Sequence, residues 1–263
     1  MDAGTARGGR PEAHYNRPMR VLPLGVGDAF SALHYTSSVL LESDGQWLLL
    51  DCPHPIRKIL REGSQSALGR PLDLGDLAGV AVTHLHADHS CGLEVLGFYA
   101  HFVLGRRIPL LVHPDVGARL WERLAAGMER SVSLDGAELR YTLDTFFEMV
   151  PLDETAGVRL GPFEVECRKT FHPVPTTALR VRAGGRSIAH SADTRFDPAL
   201  IDWLLQADLV LHETGPGIHT PLADLEALPA EKRAHMRLIH YPDELTSRET
   251  SIPRLRQGES YDV

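Results

Sequence analysis

Short apolar runs separated by turn residues recur along the chain from Arg20 onward. A β-hairpin is predicted where the Asp44–Gly45 pair separates "SSVLLES" from "QWLLLDC". A buried strand is predicted at "LAGVAVTH", and amphipathic helices are predicted at "PIRKILREG", ending at its glycine, and at "VGARLWERLAAGMER". The first half of the chain therefore alternates strands with helices.

The second half repeats this alternation. Strands or hairpins are predicted at "FEVECRKTFHP", "TALRVRAGGRSIAHSADT" and "ADLVLHET", a helix at "PALIDWLLQ" and a last strand at "RLIHYPDE". The pattern predicts an α/β fold in which two sheets pack together with helices outside. Because no long linker interrupts it, we expect one domain over residues 19–246, with residues 1–18 a flexible N-terminal tail or dimer arm and residues 247–263 a flexible C-terminal tail.

Titratable side chains are concentrated where the predicted strands end. The strand ends carry His84, His86, Asp88 and His89, all within "VTHLHADHSCG", and later His172, Asp193, His212, Glu213 and His240. The quoted stretch is open to two interpretations, a histidine-rich polar loop or a metal site, since borderline divalent ions prefer imidazole and carboxylate ligands. The recurrence of such groups at strand ends, where rigid scaffolds hold ligands, favours a metal site.

The spacing within this stretch suggests how the ligands are shared. Side chains at positions i and i+2 of an extended strand end point the same way, so His84 and His86 can share one ion. Asp88 and His89 lie in the turn that follows and are placed for a neighbouring ion. Asp51, at the end of a hairpin strand, is expected only to fix a turn.

Several motifs resemble those of the metallo-β-lactamase superfamily and, within it, the ribonuclease Z-like phosphodiesterases. They are "LGVGDAF", "THLHADHSCGL", "SADT", "ADLVLHET", "GIHT" and "RLIHY". The resemblance implies a four-layer αββα sandwich of two mixed β-sheets flanked by helices, with a dinuclear site at one edge.

The same resemblance implies a ligand set and a cofactor of two divalent ions, with zinc expected and manganese or iron as alternatives. One ion would be held by His84, His86 and His172. The other would be held by Asp88, His89 and His240, and Asp193 would bridge the two.

The resemblance also implies a catalytic group made of Asp88, His219 and Glu213. Two cations would activate a shared water, whose hydroxide attacks phosphorus, so no serine or cysteine nucleophile is needed. His219, in "GIHT", would protonate the leaving group, and Glu213 would orient it. From the residues alone, a surface-loop histidine and a structural salt bridge remain alternatives for these two.

Charge and loop composition narrow the expected substrate. The net charge of −8, from 35 acidic and 27 basic side chains, argues against long nucleic acid as a partner. The interval from Leu111 to Phe171 contains a single lysine. It therefore lacks the glycine- and lysine-rich arm of transfer-RNA processing members. The chain more closely resembles the small ribonuclease Z-like enzymes that open cyclic nucleotides, including the phage anti-Pycsar proteins.

We therefore expect a dinuclear metal-dependent phosphodiester hydrolase acting on small cyclic nucleotides. A tRNA or RNA 3′-processing endonuclease, or a lactone or thioester hydrolase of the same fold, is the alternative. Phe98, Tyr99 and Phe102 follow the signature motif and are open to two interpretations, stacking on a base or packing in the core.

Location and assembly are expected from simpler features. Three widely spaced cysteines do not form a disulfide framework. No stretch has the length of a membrane span, and no export signal precedes the domain, so we expect a cytoplasmic protein with no membrane partner. The family resemblance implies a homodimer.

Overall fold

The computed structural model describes residues 18–263. The predicted N-terminal tail therefore lies outside the described residues, except for residue 18. Strands in chain order are β1 (Arg20–Gly25), β2 (Ser38–Ser43), β3 (Gln46–Leu50), β4 (Leu77–Val82), β5 (Ile108–Val112), β6 (Arg130–Val132), β7 (Glu138–Arg140), β8 (Phe147–Pro151), β9 (Val158–Leu160), β10 (Phe163–Lys169), β11 (Thr177–Ala183), β12 (Arg186–His190), β13 (Leu209–Glu213), β14 (Met236–Ile239) and β15 (Tyr261–Asp262).

The helices lie between these strands. In chain order they are α1 (Ile56–Leu68), α2 (Ala87–Ser90), α3 (Leu93–Tyr99), α4 (Pro114–Met128), α5 (Leu143–Phe146), α6 (Pro198–Leu204), α7 (Leu222–Glu226) and α8 (Ala230–Ala234). Short 3₁₀ turns lie at Leu74–Asp76 and Asp243–Leu245, and a π-helical turn at Ala100–Leu104 continues α3. Among residues 18–263, no helix combines the length and apolar character needed to cross a membrane.

The strands form two large mixed sheets, except for β6 and β7, which form a separate two-stranded sheet. The first has the order β15-β1-β2-β3-β4-β5-β8, and the second has the order β14-β13-β12-β11-β10-β9. The predicted hairpin of β2 and β3 is confirmed, with φ of 49° at Asp44 and 75° at Gly45, as tight hairpin turns require. Strands β3, β4, β5 and β8 run parallel, as do β12, β13 and β14. Loops that follow parallel strands therefore meet at the same edge of each sheet.

Apolar residues that alternate along the first sheet bury both of its faces. Leu40 and Leu49 join a cluster with helices α1, α3 and α4, whereas Leu41 and Leu48 join a cluster with the second sheet. Helix α6 covers the second sheet, and the Arg180 guanidinium of β11 lies over its Trp203. The predicted four-layer αββα sandwich is confirmed.

Helix α1 is longer than predicted, since Gly63 was expected to end it. The helix continues through Gly63 and ends at Gly69, which has φ of 71°. A Cβ at Gly63 would approach Leu24 Cδ2 to 2.7 Å, so glycine lets the helix lie close to β1. Gly63 thus serves helix packing and does not end the helix.

The segment from residue 247 onward differs from the predicted flexible tail. Ile252 and Leu255 are fully buried in the core cluster between the sheets. Strand β15 pairs antiparallel with β1, and the Leu255 N–H donates to the Leu238 carbonyl at 2.9 Å. Few apolar residues occur in this segment, but Ile252 and Leu255 pack in the core. The polar composition of the segment therefore did not indicate this packing.

Candidate metal centre

Strand β4 delivers the signature motif to the edge where the two sheets meet. Thr83 and His84 follow its last residue, and the Thr177 N–H of β11 donates to the Thr83 carbonyl at 3.1 Å. His86 precedes the one-turn helix α2, which carries Asp88 and His89. This sharp change from strand to helix turns all four titratable side chains of the motif toward the second sheet.

The second sheet supplies the remaining three residues. His172 lies in the loop between β10 and β11, and Asp193 follows β12. His240 follows β14 directly and has φ of 49°, a left-handed conformation that non-glycine residues adopt rarely. The structure therefore brings all seven residues of the predicted ligand set to one place.

Four of them form a first cluster. His172 Nε2 lies 3.0 Å from His86 Nδ1. The carboxylate oxygen Oδ2 of Asp193 lies 3.7 Å from His84 Nε2 and 3.8 Å from His172 Nε2. One ligand atom from each of these four residues lies within 4.8 Å of the others.

A second cluster shares Asp193 through its other oxygen. Asp88 Oδ2 lies 3.2 Å from His89 Nε2 and 3.2 Å from His240 Nε2. Asp193 Oδ1 lies 3.3 Å from His89 Nε2 and 3.6 Å from His240 Nε2. The two oxygens of Asp193 thus face different clusters.

These separations fit coordinated cations. A tetrahedral ion with bonds of about 2.0–2.2 Å holds neighbouring ligand atoms about 3.3–3.6 Å apart. His84 Nε2, His89 Nε2 and Asp193 Oδ1 are buried and find no hydrogen-bond partner among residues 18–263. Buried polar atoms without partners cost free energy, and a cation in each cluster would satisfy them.

Burial keeps two histidines of the first cluster neutral. It lowers the pKa of His84 well below its usual value and the pKa of His172 to about 4. A neutral imidazole has the lone pair that coordinates a metal ion. The first cluster is therefore ready to bind a cation at neutral pH without losing protons from these rings.

The second cluster differs because carboxylates surround its histidines. Burial opposes the charged form of His240, but the nearby Asp193 carboxylate outweighs it and raises the pKa of His240 to about 9. Burial likewise opposes the charged form of His89, and Asp193 and Asp51 raise its pKa well above the usual value. A cation in this cluster would take the place of these protons.

Asp51 orients His89, a role that the sequence analysis missed. Asp51 Oδ2 accepts hydrogen bonds of 2.8 Å from His89 Nδ1 and from Thr83 Oγ1, while Oδ1 accepts one of 2.8 Å from the Thr83 N–H. The position of Asp51 could have indicated this role. Because β3 is parallel to β4, the residue after β3 lies beside the motif that follows β4. Asp51 is a positioning residue behind the ligands.

The predicted pair of His219 and Glu213 lies beside both clusters. His219 Nδ1 is 2.9 Å from Glu213 Oε2 and 3.9 Å from Asp193 Oδ2. Glu213 ends β13 and is fully buried, and its Oε1 accepts a hydrogen bond of 2.6 Å from the Thr194 N–H. Burial raises the pKa of Glu213, and the hydrogen bond from His219 to Glu213 raises the pKa of His219.

The two mixed sheets and the paired histidine–carboxylate clusters at their edge define a metallo-β-lactamase fold protein. The metallo-β-lactamase fold protein YhfI from Bacillus subtilis matches with a TM-score of 0.72 and 21% identity, over 94% of this chain and 100% of that one. The short form of human tRNase Z matches with a TM-score of 0.64 and 20% identity, over 92% and 98%. The resemblance read from the motifs is confirmed.

Within this fold, the chain belongs to the family described as anti-Pycsar protein Apyc1, which matches residues 19–259. A relative with that name from Bacillus phage 010DV004 is 34% identical over 262 residues. The match covers 92% of this chain and 98% of the relative. Similarity therefore extends over the whole domain and is not confined to the signature motif.

Proposed function

We propose that this protein is a dinuclear metal-dependent phosphodiesterase that opens small cyclic nucleotides. The observation that carries the proposal is the arrangement of the two ligand clusters, which share one carboxylate and lie beside the hydrogen-bonded pair of His219 and the buried Glu213. A structural zinc site is a closed cage of four ligands, whereas this arrangement offers two adjacent positions.

In this proposal His84, His86 and His172 hold one cation, and Asp88, His89 and His240 hold the other. Asp193 would serve both cations, since its Oδ2 faces the first cluster and its Oδ1 faces the second. Two divalent cations bound there would lower the pKa of a shared water to about 7 and polarise the phosphoryl oxygens. Nitrogen and oxygen ligands suit zinc, which we propose, and also accept manganese or iron.

His219 is the proposed general acid. Its Nδ1 is engaged by Glu213, which leaves Nε2 to donate a proton to the leaving oxygen. The raised pKa of His219 favours the protonated ring that this role requires. Glu213 is itself fixed by the Thr194 N–H, so the ring is held in one orientation. Asp88 belongs to the proposed catalytic group because it is a proposed metal ligand beside the reacting phosphate.

Three features support a small cyclic phosphodiester as substrate. The net charge is −8, which disfavours a long polyanion. Between residues 111 and 171 the chain folds into short strands, including the separate β6–β7 hairpin, and helices α4 and α5, with a single lysine. The curated relatives carry the name anti-Pycsar protein, and the resemblance read from the motifs implies cyclic-nucleotide opening for that group.

A substrate panel tests the proposal. The metal-loaded protein is offered 3′,5′-cyclic mononucleotides, cyclic dinucleotides, bis-p-nitrophenyl phosphate, pre-tRNA and a homoserine lactone. We expect turnover of the cyclic nucleotides. Turnover of the lactone alone would overturn the phosphodiesterase proposal, and turnover of pre-tRNA alone would favour the RNA-processing alternative.

We also propose a cytoplasmic homodimer. The three cysteines are free, as expected in a reducing compartment. Light scattering after size exclusion should give twice the chain mass of 29.0 kDa. A single-chain mass would contradict the dimer without affecting the proposed chemistry.

A further inference from the structure

An aromatic ring and a guanidinium lie together on the two loops that present metal-cluster residues. The Cζ atom of Arg195 is 4.2 Å from the centroid of the Phe171 ring. Phe171 directly precedes His172, and Arg195 follows Asp193 by two residues. Each residue of the pair is thus within two positions of a metal-cluster residue in the sequence.

Backbone contacts hold the two loops together. The Arg195 N–H donates to the Phe171 carbonyl at 3.1 Å, and Thr170 Oγ1 donates to the Asp193 carbonyl at 2.8 Å. Because these bonds tie the Phe171 loop to the Asp193 loop, the backbone that carries the ring is fixed relative to Asp193.

The Phe171 ring has apolar surface that no residue in the range 18–263 covers. Arg195 lies over one ring face, yet 53% of Phe171 remains exposed to solvent. Arg195 is itself exposed, and no carboxylate of residues 18–263 forms an ion pair with it. An open aromatic face backed by an unpaired cation is a surface on which a flat nucleobase can stack.

We propose that Phe171 and Arg195 form the nucleobase subsite of the enzyme. The base stacks on the open face of Phe171, and Arg195 supports the ring from behind while its charge attracts the anionic substrate. This inference rests on the proposed function, since it assigns the base of the same cyclic nucleotide whose phosphate reaches the clusters. Phosphate chemistry and base recognition are thereby assigned to different residues.

Phe102 provides a matched control. It is 57% exposed, close to the value for Phe171. Its ring packs instead against His101 at 4.7 Å, Phe98 at 5.8 Å and Tyr141 at 6.2 Å between centroids, none of which is a cluster residue. Phe98 and Tyr99 pack against the core cluster of the first sheet, whereas Phe102 stays largely exposed.

The experiment compares Phe171→Ala, Phe171→Trp and Phe102→Ala in metal-loaded protein. Equilibrium dissociation constants are measured for a nucleoside 5′-monophosphate and for inorganic phosphate, with metal content checked in each variant. We expect Phe171→Ala to weaken nucleotide binding about 10-fold, the size of one base–aromatic stack, with phosphate binding unchanged. Phe171→Trp should restore nucleotide binding, and Phe102→Ala should match the wild type.

The possible failures are distinguishable. Unchanged nucleotide binding in Phe171→Ala would overturn the subsite, and so would equal weakening of nucleotide and phosphate, which would mean that the metal centre was disturbed. A wild-type protein that binds nucleotides through Phe171 but opens no cyclic nucleotide would instead overturn the proposed function.

Discussion

His89 shows how a residue outside the ligand set can fix the chemistry of a ligand. Its Nδ1 bonds Asp51 at 2.8 Å, so a neutral ring carries its proton there and its lone pair on Nε2. Asp51 has φ of 59°, a strained backbone that persists because both carboxylate oxygens are bonded. The orientation of His89 is therefore built in before any cation arrives.

Asp51→Asn should weaken metal binding without unfolding the protein. The amide keeps the shape of the side chain but removes the negative charge behind His89, and loss of such a partner costs about 10–100-fold in metal affinity. Competition with a chromogenic chelator measures the change. Asp208→Asn is the control, since Asp208 bonds Ser187 at the opposite end of β12. An unchanged metal affinity in Asp51→Asn would contradict the positioning role of Asp51.

His219→Ala should separate catalysis from metal binding. Loss of a general acid lowers kcat by about 100-fold or more, whereas a residue that is not a ligand leaves metal content intact. Steady-state kinetics and elemental analysis on the same preparation check both parts. If metal is lost together with activity, His219 is a ligand and its assignment as acid is wrong.

The helices and strands show where local pattern suffices and where it does not. The β2–β3 hairpin and the strand before the motif follow from turn residues and apolar runs, which act locally. Helix α1 has Gly63 in its interior because the adjacent Leu24 leaves no room for a Cβ at that position. The sequence around Gly63 does not reveal this contact. The flexible tail predicted for the C-terminal segment missed contacts of the same kind, since Ile252 and Leu255 pack against residues far away in the chain.

Leu255→Ala tests whether this last segment belongs to the core. Leu255 is fully buried, so truncation should lower the free energy of unfolding by about 2–4 kcal/mol. Denaturant unfolding measures the difference. Leu134→Ala, at a fully exposed leucine, should change stability by less than about 0.5 kcal/mol. Equal effects in the two variants would restore the prediction of a loose tail.

Asp73 joins helix α1 to the turn that precedes β4, and its contribution should depend on pH. Its carboxylate accepts bonds of 2.9 and 2.8 Å from Arg57, which lower the pKa of Asp73 below its usual value. A lowered pKa in the folded state gives stability that is present at neutral pH and lost as pH falls through that pKa.

Asp73→Asn should therefore cost about 1 kcal/mol of unfolding free energy at neutral pH, allowing for solvent screening. The difference in unfolding free energy between Asp73→Asn and the wild type should shrink as the pH falls below about 4, because the Asp73 carboxylate of the wild type then becomes protonated. Asp202→Asn, which breaks an exposed pair with Lys232, is the control. A difference that stays constant to low pH would contradict the role of charge.

The molecule as a whole assembles its site from both sheets. The resemblance of the motifs, together with the recurrence of titratable residues at predicted strand ends, was enough to predict the seven residues that the structure brings together. Asp51 and the Phe171–Arg195 pair could not be predicted in this way. Their roles depend on a hydrogen bond and a ring contact between loops that are distant in sequence.

The number of metal ions per chain tests the central claim most directly. Elemental analysis of protein loaded with zinc and freed of loosely bound ions should find two ions per chain. Asp193→Ala should lower that number, since Asp193 faces both clusters. A wild-type protein that holds one ion or none under these conditions would contradict the dinuclear centre and the chemistry proposed for it.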